Sequence, residues 1–121
     1  MGNRAAYYGD KDKVDGDFTA GGDVVATGDV VADSIGSGLN VKEGTNARQG
    51  VAILVLGTKV VANTKVTVNS RIMVSIQVLG TVAAPKAIAV TARTAGTSFT
   101  ITSADATDTS TVAWEIFEPA A

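Results

Sequence analysis

Apolar and polar residues alternate with a period of two through much of the chain beyond residue 49. Because successive side chains of a β-strand point to opposite sides, this alternation predicts half-buried strands over 65–79, 86–94, 97–103 and 111–118. The continuous apolar run 50–56 predicts a further short strand that is buried on both faces. In the longest segment one face carries Ile72, Val74, Ile76 and Val78, and the other carries Met73, Ser75, Gln77 and Leu79.

Turn-forming residues separate these segments, and no stretch has a helical period. Gly57, Asn63, Pro85 and Gly96 all stand between apolar runs. Several short strands at this spacing predict an all-β fold, an antiparallel β-sandwich of jelly-roll-like type. In the last strand Trp114 and Phe117 fall on opposite faces, so we expect Trp114 in the core and Phe117 at an interface with another subunit.

The segment before the sandwich contains a near-exact duplication. Residues 22–27 read GDVVAT and residues 28–33 read GDVVAD, and 16–21 form a weaker relative. Six-residue units of Gly, Asp and β-branched residues are typical of short strands joined by tight corners. Two interpretations stay open: an intertwined multichain β-prism and an ordinary hairpin. A prism would bury its apolar pairs between neighbouring chains, namely Val24, Val25, Val30 and Val31.

Charge is distributed unevenly along the chain. Eight of the twelve acidic residues precede residue 50. Residues 1–17 are polar and aperiodic, which is typical of an extended arm that is ordered only by docking, and Tyr7 and Tyr8 are its sizeable apolar side chains. We therefore expect an N-terminal arm over 1–17, a Gly/Asp/Val β-repeat neck over 18–40 and a β-sandwich domain over 41–121.

Composition excludes several function classes. The chain has no histidine and no cysteine, which removes imidazole bases, thiolate nucleophiles, Cys/His zinc sites and disulfides. A net charge of −2 with no cluster of basic residues argues against nucleic-acid binding. The apolar run 51–56 is far shorter than the ~20 residues of a membrane span. Since a 121-residue chain with 5% aromatic residues has little core to bury, we expect a homo-oligomer.

No cofactor or metal site is expected. Carboxylates alternate over 10–17 as in a calcium loop, but Val14 stands at the third ligand position and Gly16 comes one residue late. Paired carboxylates for sugar hydrolysis are not expected either, because Glu115 and Glu118 fall on opposite faces of a regular strand. We expect no enzymatic activity.

Arg71 and Arg93 are the charges most embedded in apolar alternation. A half-buried guanidinium needs a partner, which Glu115, Glu118 or Asp108 could supply within the chain or from a neighbouring subunit. One interpretation is an intersubunit ion pair that fixes the register of the subunits. The other is a pair of arginines at strand edges whose head groups reach solvent.

Three blocks in the second half of the chain carry a family resemblance. They are GTKVVANTKVTVNSRI at 57–72, VTARTAGTSFTI at 90–101 and DTSTVAWEIFEP at 108–119. Together they resemble the C-terminal β-module of tailed-bacteriophage virion surface proteins, which include head decoration (cement) proteins and tail fibre tips. The repeat at 22–33 likewise resembles the short repeats of phage fibre shafts.

The resemblance implies a homotrimeric virion protein that is made in the host cytoplasm. The short chain favours a capsid decoration protein on the outer head surface that reinforces contacts between major capsid proteins. The alternative is a tail fibre or spike tip that binds a host-surface receptor or glycan. In the decoration scheme the capsid-binding residues are Tyr7, Tyr8, Asp10 and Asp12, and the trimer interface contains Val24, Val25, Val30, Val31, Arg71, Arg93 and Phe117.

Overall fold

The computed structural model describes residues 18–120, and the arm predicted over 1–17 lies outside the described residues. Two compact units divide the chain, Met1–Gly38 and Leu39–Ala121. Within its described residues, 39–120, the second unit contains six strands and no helix. The strands are β1 Gln49–Ile53, β2 Thr58–Ala62, β3 Arg71–Val78, β4 Ile88–Thr94, β5 Ser98–Ser103 and β6 Thr111–Phe117.

The strands form two three-stranded sheets in which every pairing is antiparallel. One sheet has the order β1-β6-β3 and the other β2-β5-β4. Successive strands change sheet at each connection except the tight β4–β5 hairpin, so the chain crosses between the layers repeatedly. The prediction of an all-β antiparallel sandwich is therefore confirmed.

The core lies between the two sheets and is built mainly from their central strands. The ring of Phe99 on β5 meets the ring of Trp114 on β6 edge to face, with centroids 5.2 Å apart and planes at 72°. This geometry favours the electrostatics of two aromatic rings. Trp114 is buried, as its place on the apolar face predicted. The rest of the core comprises Ala52, Leu54, Val66, Ile101, Val112 and Ile116.

Two β-bulges change the faces that regular alternation predicts. The register of β3 shifts between Ile76 and Val78. Val78 therefore lies opposite Thr111 on the outer face, whereas Ile76 lies on the inner face. The register of β4 shifts between Val90 and Ala92, so Ala92 also leaves the inner face. A bulge inserts one extra residue and reverses the alternation beyond it. The prediction that Val78 shares the face of the inward residues of β3 is therefore wrong.

Three further segments differ from prediction. Strand β1 is not buried on both faces, because Val51 and Ile53 are more than half exposed while Ala52 is buried. Strand β2 was not predicted. The segment 65–70 is not part of β3, because it forms a turn in which the Thr67 backbone N–H donates to Ser70 Oγ at 2.8 Å.

No strand forms within residues 18–48. The hairpin that the duplicated repeat could have formed is thus absent from this segment of the single chain, and the multichain prism stays a prediction. Within residues 18–120 no helix is long and apolar enough to cross a bilayer.

Candidate functional site

The predicted interface valines of the repeat are strongly exposed. Their side chains show 71% (Val24), 84% (Val25), 86% (Val30) and 72% (Val31) of their full accessible surface. Exposure of four valines within eight residues leaves apolar surface that residues 18–120 do not cover. The capsid-binding residues predicted from the resemblance, Tyr7, Tyr8, Asp10 and Asp12, lie outside the described residues.

Arg93 is held by a backbone carbonyl. The bulge in β4 brings Arg93 opposite Phe99, at the end of the sheet, and its Nη1 donates to the carbonyl oxygen of Ser70 at 2.6 Å. Arg71 lies opposite Phe117 at the start of β3 and is exposed. Neither guanidinium has a carboxylate within 4.0 Å among the described residues. Their pairing with a neighbouring subunit stays a prediction.

Glu118 forms a polar cluster that joins the end of β6 to the turn before β3. Its carboxylate accepts hydrogen bonds from the hydroxyls of Ser70 and Thr67, the latter at 2.6 Å, and pairs with Nη1 of Arg48 at 3.6 Å. The hydrogen bonds from Ser70 and Thr67 hold the pKa of Glu118 below its ordinary value, with a smaller contribution from Arg48. Sequence reasoning missed Arg48, which stands in a polar stretch outside every predicted strand.

Asp108 is a buried carboxylate that organises the loop between β5 and β6. Its Oδ1 accepts the backbone N–H of Ser110 at 2.8 Å, and its Oδ2 accepts the hydroxyl of Ser103 at 2.7 Å. The hydrogen bonds from Ser110 and Ser103 lower the pKa of Asp108 despite its burial. The carbonyl oxygen of Asp108 also accepts the N–H of Gly57 at 3.0 Å. Asp108 is thus committed to the fold.

Asp105 has an equally local role. Its Oδ1 accepts the backbone N–H of Thr107 at 2.8 Å and the hydroxyl of the same residue at 2.7 Å. These bonds lower the pKa of Asp105. Lys86 lies 4.0 Å from Oδ2 of Asp105. The arrangement is an Asx-turn, which fixes a loop and needs no ligand.

The outer face of the β1-β6-β3 sheet carries five large apolar side chains among polar ones. Val51 and Ile53 from β1, Met73 and Val78 from β3, and Phe117 from β6 lie on it, each between 45% and 61% exposed. Ala113 occupies its centre, directly between Val51 and Ser75 in the strand register. An antiparallel sheet that faces water normally presents polar side chains there.

The outer face of the β2-β5-β4 sheet has a different character. Its central strand presents Ser98, Thr100 and Thr102, and the Thr102 hydroxyl lies 2.7 Å from that of Thr91 on β4. Val60 on β2 is the large apolar side chain of this face and is 59% exposed. The two outer faces therefore differ in chemistry although both belong to the same sandwich.

Among residues 18–120 no group of three or more carboxylates is placed to hold a metal ion. The calcium-like segment 10–17 lies outside the described residues.

Comparison with known proteins gives one family. No curated protein matches the chain. The family model of the K1 capsule-specific polysaccharide lyase, C-terminal domain, matches residues 46–117, which is more than half of the chain and contains all six strands. The match is consistent with the C-terminal module of a phage virion surface protein that the sequence resembles. The chain accordingly belongs to the family of K1 capsule-specific polysaccharide lyase C-terminal domains.

Proposed function

We propose that the chain is a non-catalytic tip module of a phage tail spike or tail fibre, that it works as a homotrimer, and that it binds a receptor or glycan on the host surface. The observation that carries the proposal is the family match over residues 46–117. The family is named for a C-terminal domain of a lyase that acts on a capsular polysaccharide. A module of that kind belongs with proteins that meet the bacterial surface.

The state of the carboxylates supports a non-catalytic role. A general acid or base needs a carboxyl group that can reach substrate and exchange a proton near the working pH. Asp108 is buried beneath two serine partners, and Glu118 is held by two hydroxyls and Arg48. Hydrogen bonding lowers the pKa of both groups, which keeps them ionised and fixed.

The capsid-decoration interpretation depended on the length of the chain. The family match favours the tail spike over the capsid surface. Capsid decoration, with the major capsid protein as partner and the outer capsid as location, is therefore the competing hypothesis in a direct test.

Electron microscopy of purified virions labelled with gold-conjugated antibodies against this chain decides between the two locations. We expect gold at the tail tip. Labelling over the head surface would contradict the proposal and support capsid decoration. Virions labelled with an antibody against the major capsid protein serve as the control for head labelling.

The binding role is tested separately with whole bacteria. We expect the purified chain to co-sediment with capsulated host cells and to be lost from the pellet when isogenic acapsular cells are used. Release of reducing or unsaturated sugar from purified capsule by the chain alone would contradict the non-catalytic assignment.

A further inference from the structure

The outer face of the β1-β6-β3 sheet combines six apolar side chains with five polar ones. Strand register places Val51, Ala113 and Ser75 in one row and Ile53, Thr111 and Val78 in the next. The preceding rows contain Gln49, Glu115 and Met73, and then Phe117 and Arg71. We call these outward-facing side chains the β1-β6-β3 outer face.

So many half-exposed apolar side chains on one sheet face indicate that another molecule binds there. Isolated apolar residues on a surface are ordinary, but a contiguous apolar patch on a soluble protein marks an interaction site. The bulge between Ile76 and Val78 adds Val78 to the patch, because it turns that side chain outward. The hydroxyl-lined face of the other sheet shows that this sequence can cover a sheet with polar side chains, as Ser98, Thr100 and Thr102 do.

The charges on the β1-β6-β3 outer face indicate what the partner is. The face carries one guanidinium, Arg71, and one carboxylate, Glu115, on adjacent rows. Neither has an ion-pair partner within 4.0 Å among residues 18–120. A surface that combines exposed apolar side chains with one charge of each sign fits a neighbouring copy of the chain, because the carboxylate of one copy can meet the guanidinium of the next.

We propose that the β1-β6-β3 outer face is the surface through which copies of this chain associate. From strand spacings, three strands of five, seven and eight residues present a flat face of roughly 300 Å². A standard stable interface takes about 800 Å² from each partner. The face therefore supplies part of the contact, and association through it is reversible on dilution. The inference concerns this domain's surface and holds for either location on the virion.

Two matched valines test the proposal. Val51 on β1 and Val60 on β2 are 55% and 59% exposed, and each is the middle residue of a five-residue edge strand. Only Val51 belongs to the β1-β6-β3 outer face. Sedimentation velocity of the full chain over a range of concentrations should show a mass above one chain for wild type and for Val60→Glu, and a mass of one chain for Val51→Glu.

The result that overturns the proposal is equally direct. It is overturned if wild type sediments as a single chain at every concentration, or if Val51→Glu keeps the wild-type mass. The proposal is also overturned if Val51→Glu and Val60→Glu dissociate equally. Far-ultraviolet circular dichroism checks that each variant retains its β-structure.

Spin labels make the test independent of charge. Because the chain has no cysteine, Val51→Cys and Val60→Cys each create one labelling site. Dipolar electron paramagnetic resonance should detect intermolecular distances below about 30 Å, the scale of a small domain, for label at 51 only. Distances of that size at 60 and none at 51 would contradict the proposal, even if Val51→Glu failed to fold.

Discussion

The indole of Trp114 lies against the backbone of Gly50 on the neighbouring strand. A Cβ atom placed on Gly50 would stand 2.5 Å from Cζ2 and 2.9 Å from Cε2 of the indole. The two residues are directly opposite in the antiparallel pairing of β1 and β6. A glycine inside a strand has no side chain to pack, and the space beside Gly50 is filled by the indole ring of Trp114 on the paired strand.

Gly50→Ala should destabilise the sandwich by about 1–3 kcal/mol, because the new methyl group forces the indole out of its position. Urea unfolding followed by the fluorescence of Trp114, the single tryptophan, measures the change in the free energy of unfolding. Gly38→Ala is the control, since nothing lies within 4 Å of a Cβ at that position. Equal stability of Gly50→Ala and wild type would mean that the indole can move at no cost.

Phe99→Ala should cost about 3–5 kcal/mol, because Phe99 is fully buried and holds the ring of Trp114 from the opposite sheet. Phe117→Ala removes the same ring from an exposed position and should change the unfolding free energy of the dilute chain by less than about 0.5 kcal/mol. Thermal unfolding at low protein concentration measures both. A Phe117→Ala loss as large as that of Phe99→Ala would place Phe117 in the core of the single chain.

Alanine substitutions at Gly57 and Gly96 distinguish the cost of backbone strain from the cost of a steric clash. Both have positive φ, at 77° and 69°, so alanine at either position costs about 1 kcal/mol in the left-handed region. A Cβ on Gly57 would also stand 2.5 Å from the carbonyl oxygen of Asp105, whereas nothing lies within 4 Å at Gly96. Gly57→Ala should therefore lose about 1–3 kcal/mol more than Gly96→Ala in chemical denaturation. Equal losses would indicate that the loop at Asp105 yields freely.

Acid should weaken the fold through Asp108 and Glu118. Hydrogen bonds lower the pKa of both groups in the folded state, so the unfolded chain binds protons at a higher pH than the folded chain. The stabilisation is present above the unfolded pKa values near 4 and is lost as the pH falls through the folded values. Free energies of unfolding measured between pH 6 and pH 2 should fall steeply below about pH 4.

Asp108→Asn should flatten that decline, because the titrating group is removed. Asp29→Asn makes the same change of net charge in an exposed part of the chain and serves as the control. An undiminished slope for Asp108→Asn would assign the acid sensitivity to other carboxylates.

Regular alternation was sufficient to predict β5 and β6, because every second residue from Phe99 to Ser103 and from Val112 to Ile116 faces the core. Strand β2 escaped prediction because its valines at 60 and 61 are adjacent and lie between two turn signals. The bulges in β3 and β4 could not be predicted, since the position of an extra residue depends on the partner strand.

The same limit applies to the candidate surfaces. An apolar run such as 50–56 does not show which side chains are covered by the opposite sheet and which are left for another molecule. Val51 and Ala52 differ in burial because adjacent residues of β1 point to opposite faces and the second sheet covers only the inner face. The cluster at Glu118 depends on Arg48 and Thr67, which are distant in sequence and meet only after the sheets have closed.

Among the described residues, strand β6 is the last strand in sequence and the middle strand of its sheet. During translation, β1 and β3 emerge from the ribosome with no neighbour to bind, and each must wait for Thr111–Phe117 before its ladder can form. Until then their edges are open to pairing with nascent chains on the same message. A ribosome that stalls before the codon for Thr111 would leave a polypeptide in which half of the sandwich cannot assemble.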